Sequence, residues 1–483
     1  MSKFYITTSI AYTNSHPHIG YAMELIQADV LARYHRQLGD EVWFLNGTDE
    51  HGTKIDRAAA GAGKTAKEYV DELSKVFSDL GKTLNLSIDQ FIRTTDIEHK
   101  NAAQKLWTAC SSDIYLKDYE GEYCVDCETF YTQTDAPNKI CPVHNKALEH
   151  EKQKNYFFKL SSYTKSIKEA VISGRLKVVP ESRKNEILAL LDRGLDDISI
   201  SREKSKLTWG VPVPGDDTQV MYVWFDALSN YITALGYPEG KNFQKFWPAN
   251  LQIVGKDIIR HHIAIWPAML LSAGLELPES IYVHGFINVS GEKISKSKGN
   301  GVSPMEVIDR YGLDALRYYL LREISSIGDG DFSWERMDSV YNSDLANDLG
   351  NLVQRVSVMI TKYNDGQVGE LKDHSHDASA YTDALSSLRF DHALDSVWSL
   401  IRGLNQFIEA EKPWQKAKDD KEGLDNVLSH AVTDLNQIAT LLLPFLPDTA
   451  KKIISTFANG EIDPEVGILF PKNTENSGDN LEA

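Results

Sequence analysis

A chain of 483 residues is too long for one hydrophobic core and predicts about three or four domains. With 42% hydrophobic and 25% charged residues, it has the composition of an ordinary globular protein, which sets aside disordered and collagen-like chains. The formal net charge of −18, from 51 basic and 69 acidic residues, excludes a non-specific nucleic-acid binder that relies on an overall basic surface. Local basic patches and base-specific contacts remain open.

The opening MSKFYITTSI lacks the long apolar stretch of a secretory signal. The apolar stretch at 263–275 is interrupted by Pro267 and falls short of the ~20 residues a membrane span needs. These features predict a soluble, cytoplasmic protein with no membrane partner. In chain order, residues 3–9 form a β-rich run. Pro17 then precedes a helical stretch with Leu25, Ala28, Leu31 and Ala32 on one side, closed near Gly39. Residues 41–45 make a second apolar strand ending at Asn46-Gly47. Strand, helix, strand is the opening of a doubly wound parallel sheet, where ligands collect beyond the carboxyl ends of strands.

The same texture returns at 251–254, which ends in Gly255-Lys256-Asp257, and at 281–283, which ends in His284-Gly285. Between the two halves lies an insertion, 116–218, with no helical-repeat pattern. From Trp334 onward the texture is helical: 344–362, 391–411 and 424–443 each carry apolar residues at helical spacing. A bundle is expected there, followed by a polar, frayed tail.

Two motifs flank this interrupted sheet. In His16-Pro17-His18-Ile19-Gly20-Tyr21, placed between strand and helix, Gly20 allows close approach of a base or phosphate. The helix start offers N–H groups to an anion, and His18 can donate to a phosphate oxygen as charge builds. The second motif is Gly291-Glu292-Lys293-Ile294-Ser295-Lys296-Ser297-Lys298-Gly299-Asn300. Its alternating lysines and serines between glycines can close cations and hydroxyls over a triphosphate. Either motif alone reads equally as a turn or a solvated surface loop.

Together and in this order, the two resemble the signatures of class I aminoacyl-tRNA synthetases, with Tyr21 in place of the last histidine of HIGH and Ile294 in place of the methionine of KMSKS. The resemblance is closest to the methionine enzymes and covers nearly the whole chain. Its other blocks are Ser9-Ile10-Ala11-Tyr12-Thr13-Asn14, Asn46-Gly47-Thr48-Asp49-Glu50-His51-Gly52-Thr53, Tyr222-Val223-Trp224-Phe225-Asp226-Ala227 and Val254-Gly255-Lys256-Asp257.

The resemblance implies a Rossmann-type α/β catalytic domain split by a zinc-bearing connective insertion, then an α-helical anticodon-binding bundle. The expected boundaries are 1–115 and 219–300 for the catalytic halves, 116–218 for the insertion, 301–335 for a stem-contact linker, 336–465 for the bundle and 466–483 for the tail. It implies activation of L-methionine by ATP with Mg²⁺, then charging of initiator and elongator tRNA(Met). His18, Gly20, Tyr21, Lys293 and Lys296 are the implied catalytic residues. His18, Gly20, Lys293, Ser295, Lys296 and Ser297 are implied at the ATP. Asp49 with Ile10 would hold the substrate ammonium, and Tyr12, Trp224, Ala227, Tyr231, His261 and His262 would line the side-chain pocket. In the family an aromatic residue often stands at the place of His261. Aromatic rings suit a polarizable thioether, although such residues are also ordinary core.

Cys124, Cys127, Cys141 and His144 stand as C-x2-C-x13-C-x2-H, the spacing of one structural Zn²⁺ with no open coordination position. The competing reading is reduced thiols packed as small apolar groups. Cys110 lies outside the set and reads as a buried thiol. In the bundle, Asn351 and Arg355 fall on one helix face, and Pro413-Trp414 follows later. An aromatic plane with nearby amide and guanidinium groups suits a splayed base. The resemblance assigns Asn351, Arg355, Pro413 and Trp414 to the CAU anticodon. The chain ends soon after the bundle, without the C-terminal dimerising domain of some family members, so a monomer is expected. The rival is a non-catalytic RNA-binding protein built on a decayed synthetase, which would be expected to lose His18 or the loop lysines.

Overall fold

The computed structural model describes residues 2–483 apart from 125–128, 132–135, 143–144, 294–300, 369, 372–373, 458–461, 463–467 and 472–483. The chain divides into two compact units, 1–17 with 35–284 and 18–34 with 285–483. Among the described residues no helix is long and apolar enough to cross a membrane.

In the first unit, seven strands form one sheet. Gln90–Arg93 and the two-residue Ala11–Tyr12 both lie on Glu41–Asp49, which is followed by Lys3–Thr8, Leu251–Gly255, Ser280–His284 and Lys177–Val179. Every pairing is parallel. Leu251–Gly255 is buried throughout and Lys3–Thr8 nearly so, as strands covered on both faces must be. Chain order runs outward in one direction through Glu41–Asp49 and in the other through Leu251–Gly255. The reversal therefore falls between Lys3–Thr8 and Leu251–Gly255, the position at which open α/β sheets bind ligands.

Two features depart from the expectations. The second strand continues past Asn46-Gly47 to Asp49, because Gly47 is there for close packing and not for a turn. It pairs with Ile92, and a Cβ at Gly47 would stand 2.2 Å from the Ile92 carbonyl oxygen. The expected insertion, 116–218, also reaches into the main sheet: Val178 within it pairs with Ile281. The same segment holds two helices, Thr164–Ser173 and Glu181–Asp192. Each buries only two or three residues, Ile167, Ala170 and Val171 in one and Ile187 and Leu191 in the other, too few to register as a periodic pattern. The rest of the insertion holds a four-stranded sheet built on the long antiparallel pair Ile114–Cys124 and Glu149–Phe158, and a three-stranded antiparallel sheet of Ser201–Glu203, Asp216–Met221 and Pro212–Val213.

The second unit is mainly helical. Trp334–Val340, Tyr341–Gly350 and Asn351–Tyr363 follow without a break, so the helical run begins at Trp334, where the helical texture was expected to start. Phe390–Glu411 buries Phe390, Ala393, Leu394, Val397, Trp398, Ile401, Leu404 and Ile408, the three-and-four spacing of a core-facing stripe. Lys421–Leu442 packs on it. Helix Ile19–Gln37 contributes residues 19–34 to this unit. Its Asp29 is fully buried and receives Arg317 at 2.8 Å and Arg33 at 2.7 Å. Arg317 also donates to the carbonyls of Pro444 and Phe445. A three-stranded sheet of Ile287–Val289, Glu292–Lys293 and Gly330–Phe332 presents the segment that leads into 294–300.

Candidate active site

Four of the residues assigned to the side-chain pocket, Trp224, Tyr231, His261 and His262, gather in the first unit, the histidines just beyond the carboxyl end of Leu251–Gly255. Trp224 and Ala227 share one turn of the short helix Val223–Leu228. The indole of Trp224 stacks on His261, with ring centroids 3.7 Å apart and planes at 19°, and meets His262 edge-on. His262 lies 2.7 Å from the Tyr231 hydroxyl through Nε2 and 3.0 Å from the Ile258 carbonyl through Nδ1. The carbonyl can only accept, so Nδ1 carries the proton and Nε2 accepts from the Tyr231 hydroxyl. Burial lowers the pKa of His262 to about 4, against the raising effect of the Ile258 hydrogen bond. Burial, then His262 and Arg260, hold His261 well below the ordinary histidine value. Both rings are neutral at pH 7, so the cluster is apolar, aromatic and uncharged.

Asp49, assigned to the ammonium, and Tyr12, assigned to the side-chain pocket, sit on the other side of the first strand. Tyr12 pairs with Asp49 in the sheet, and the Thr13 backbone N–H and hydroxyl both donate to the Asp49 carbonyl at 3.0 Å. The Asp49 side chain is only 6% exposed. Ile10 is half-buried against the main core.

The tie between these groups comes from residues that motif reading did not assign. Asp226, 1% exposed, accepts from His51 at 2.6 Å and from His99 at 2.7 Å. His99 reaches Thr233 with its other nitrogen. Burial works against the Asp226 charge, but the two histidines overcome it and lower its pKa to about 2. His51 stands two residues after Asp49, and Asp226 stands between Trp224 and Ala227, so this bridge fixes one block against the other. Glu50 is fully buried, clamped by Nε and Nη2 of Arg93 at 2.7 and 2.9 Å. His51 and Asp226 were visible inside their blocks. Arg93 and His99 carry no local sequence signal, since only the fold brings them in.

In the second unit, His18 caps the helix Ile19–Gln37: its carbonyl accepts from Tyr21 and Ala22 at 3.0 and 3.2 Å. The Gly20 N–H donates to His18 Nδ1 at 3.1 Å, which leaves the proton of the neutral ring on Nε2. A Cβ on Gly20 would stand 3.0 Å from His18 Cε1, so glycine is what lets the ring fold back over the helix start. The Ile19 N–H donates to the Val302 carbonyl at 3.1 Å. The first motif therefore abuts the chain just beyond the second. Lys293 ends the strand Glu292–Lys293, while Ser295, Lys296 and Ser297 lie outside the described residues.

Of the knuckle residues, Cys124 ends the strand Ile114–Cys124, and Cys141 opens a turn in which its N–H donates to Lys146 at 2.8 Å. Both are buried in a small cluster with Ala136 and Leu148, backed by Tyr131, and neither is in a disulfide. Cys127 and His144 lie outside the described residues. Cys110 is fully buried, as expected, and burial pushes its thiol up to about 12.

In the bundle, Arg355 is ion-paired with Glu409 at 2.5 Å and reaches Asn405. Asn351 is exposed one turn earlier. Lys412 adopts a left-handed backbone that breaks the helix, and Pro413–Lys416 restarts it with Trp414 half-buried. This short helix packs beside Asn351–Tyr363, the helix that carries Asn351 and Arg355.

Residues 4–147 and 133–357 match the family model for class I tRNA synthetases (M), and 359–467 match that for the anticodon binding domain of methionyl tRNA ligase. The chain belongs to the methionine class I tRNA synthetase family. It is 41% identical to the methionine--tRNA ligase of Thermotoga maritima over 99% of this chain and 80% of that protein. With the methionine--tRNA ligase of Clostridium acetobutylicum the identity is 45% over 95% and 74%. The solved structure of Mycobacterium tuberculosis methionyl-tRNA synthetase in complex with methionyl-adenylate superposes with a TM-score of 0.90 at 36% identity, covering 98% of this chain and all of that one. The fold is that of a class I synthetase with a helical anticodon-binding domain.

Proposed function

We infer that the chain is a methionine--tRNA ligase. It activates L-methionine with ATP to methionyl-adenylate and pyrophosphate, then transfers methionine to the 3′-terminal adenosine of tRNA(Met). The observation that carries the substrate assignment is the neutral aromatic cluster of Trp224, His261, His262 and Tyr231, bridged through Asp226 and His51 to the block that holds Asp49. A thioether gains about 0.3–1.5 kcal/mol per aromatic contact. Neutral rings welcome it, whereas a charged pocket would not.

In this reading Asp49 holds the ammonium with Ile10 beside it, while Tyr12, Trp224, Ala227, Tyr231, His261 and His262 enclose the side chain. The methionine carboxylate attacks the α-phosphorus in line. No protein nucleophile takes part, so catalysis rests on positioning and on charge stabilisation. His18 donates from Nε2 to a phosphate oxygen, and Gly20 and Tyr21 shape the helix start behind it. Lys293, Ser295, Lys296 and Ser297 close on the triphosphate, with Lys296 the main stabiliser of the transition state. Mg²⁺, entering with ATP, would supply neutralisation of phosphate charge.

Cys124, Cys127, Cys141 and His144 would hold one structural Zn²⁺. The two described thiols suit it, being buried in a cluster too small to fold on its own. Asn351, Arg355, Pro413 and Trp414 would read the CAU anticodon, with the chain acting as a monomer in the cytoplasm on initiator and elongator tRNA alike.

The test is charging. Incubated with methionine, ATP and a tRNA transcript bearing CAU, the chain is expected to form methionyl-tRNA, and to lose most of that activity when the anticodon alone is changed. Failure to charge the CAU transcript would overturn the assignment. Equal charging of both transcripts would remove the anticodon role.

A further inference from the structure

The helical unit holds a second set of metal-type side chains that the synthetase reaction does not use. His374, His376, His430 and Asp434 converge, with Asp434 only 4% exposed. His374 Nε2 is 2.7 Å and His376 Nε2 is 3.1 Å from the same carboxylate oxygen, and His430 Nε2 is 3.5 Å from the other. The ligand atoms of His374, His430 and Asp434 all lie within 4.8 Å of one another. Three imidazoles thus aim the same nitrogen at one carboxylate. A tetrahedral ion with bonds of about 2.0–2.1 Å sets its ligand atoms roughly 3.3–3.5 Å apart, so the His430 contact of 3.5 Å already fits and the 2.7 Å His374 contact would open to admit the ion.

The sequence supplies the set in two pieces, H-x-H in a connecting segment and His430 with Asp434 one helical turn apart. Other contacts build the cluster. Gln437, on the same face of Lys421–Leu442, donates to the His376 carbonyl and accepts from its N–H, both at 2.9 Å. Ser429 donates to the Glu370 carbonyl, tying the other end of that segment to the same helix. Phe407 stacks on His430 with centroids 4.3 Å apart, and His374 covers its other face at 4.1 Å. Gln437 and Ser429 thus hold the backbone, and Phe407 holds one face of the His430 ring, without being candidate ligands themselves.

We propose that His374, His430 and Asp434, with His376 beside them, form a binding site for a divalent transition-metal ion of the zinc type. Two imidazoles and a carboxylate are a borderline donor set that suits zinc over magnesium or calcium. The ion would clip the segment 370–376 to helix Lys421–Leu442. It would be independent of the cysteine knuckle, which lies in the other unit.

The test counts zinc in the full-length chain after loading with zinc chloride and exhaustive dialysis, with circular dichroism as the check on folding. The chain is expected to retain two equivalents, the double variant His374→Gln/His430→Gln one, and Cys127→Ser one. In the Cys127→Ser background, cobalt is expected to give ligand-field bands without sulfur charge transfer, lost on adding the two histidine changes. Retention of both equivalents by the histidine variant would overturn the proposal, as would a single equivalent in the parent chain that Cys127→Ser removes. Should Cys127→Ser not fold, the comparison of parent and histidine variant decides alone. Since activity is not the readout, failure here leaves the ligase assignment standing.

Discussion

His262 shows how much of the site depends on protonation. Its Nδ1 donates to the Ile258 carbonyl and its Nε2 accepts from Tyr231, an arrangement open only to the neutral ring. Replacing Tyr231 with phenylalanine leaves Nε2 buried and unsatisfied, at a cost of about 1–3 kcal/mol. We expect Tyr231→Phe to raise the KM for methionine roughly tenfold with the KM for ATP unchanged, measured by steady-state activation kinetics. An unchanged methionine KM would mean that this hydrogen bond does not shape the pocket. The same ring makes stability depend on pH. An unfolded histidine titrates at about 6.5 and the folded one at about 4. The folded value is the lower, so the neutral ring's contribution is complete above about 6.5 and is lost as pH falls towards 4. The full shift amounts to about 3 kcal/mol. Urea unfolding at several pH values should show the parent chain losing up to that much more than His262→Gln over this window. Parallel curves would contradict it.

At the scale of elements, the buried ion pair of Arg317 with Asp29 joins helix Ile19–Gln37 to helix Leu313–Arg322, and the same guanidinium serves the Pro444 and Phe445 carbonyls. Removing one partner of a buried pair costs about 3–5 kcal/mol. Arg317→Met should destabilise by about that much in chemical denaturation, moderated by Arg33, which keeps Asp29 paired. A loss below about 0.5 kcal/mol would show that the pair contributes little. Elements were legible in proportion to their length. Phe390–Glu411 repeats its apolar stripe over six turns and was evident, whereas the three-residue edge strand Lys177–Val179 has no period to detect. Gly47 looked like a turn because the reason for it, Ile92, arrives from a distant strand.

Over the whole molecule, the site residues that could be named from sequence are those inside compact motifs. His18, Asp49 and Trp224 all lie in short blocks whose residue types state their chemistry. His99 and Arg93 could not be named, because a lone histidine or arginine on an amphipathic element looks like any other until the sheet closes around it. The histidine cluster at 374–434 was passed over for the same reason: its halves lie 56 residues apart, from His374 to His430. The central claim concerns the pocket, and ATP–pyrophosphate exchange with each of the twenty amino acids supplied singly tests it most directly. Exchange driven by methionine alone is the predicted result. Exchange driven by another amino acid, or by none, from folded and zinc-loaded protein would contradict it.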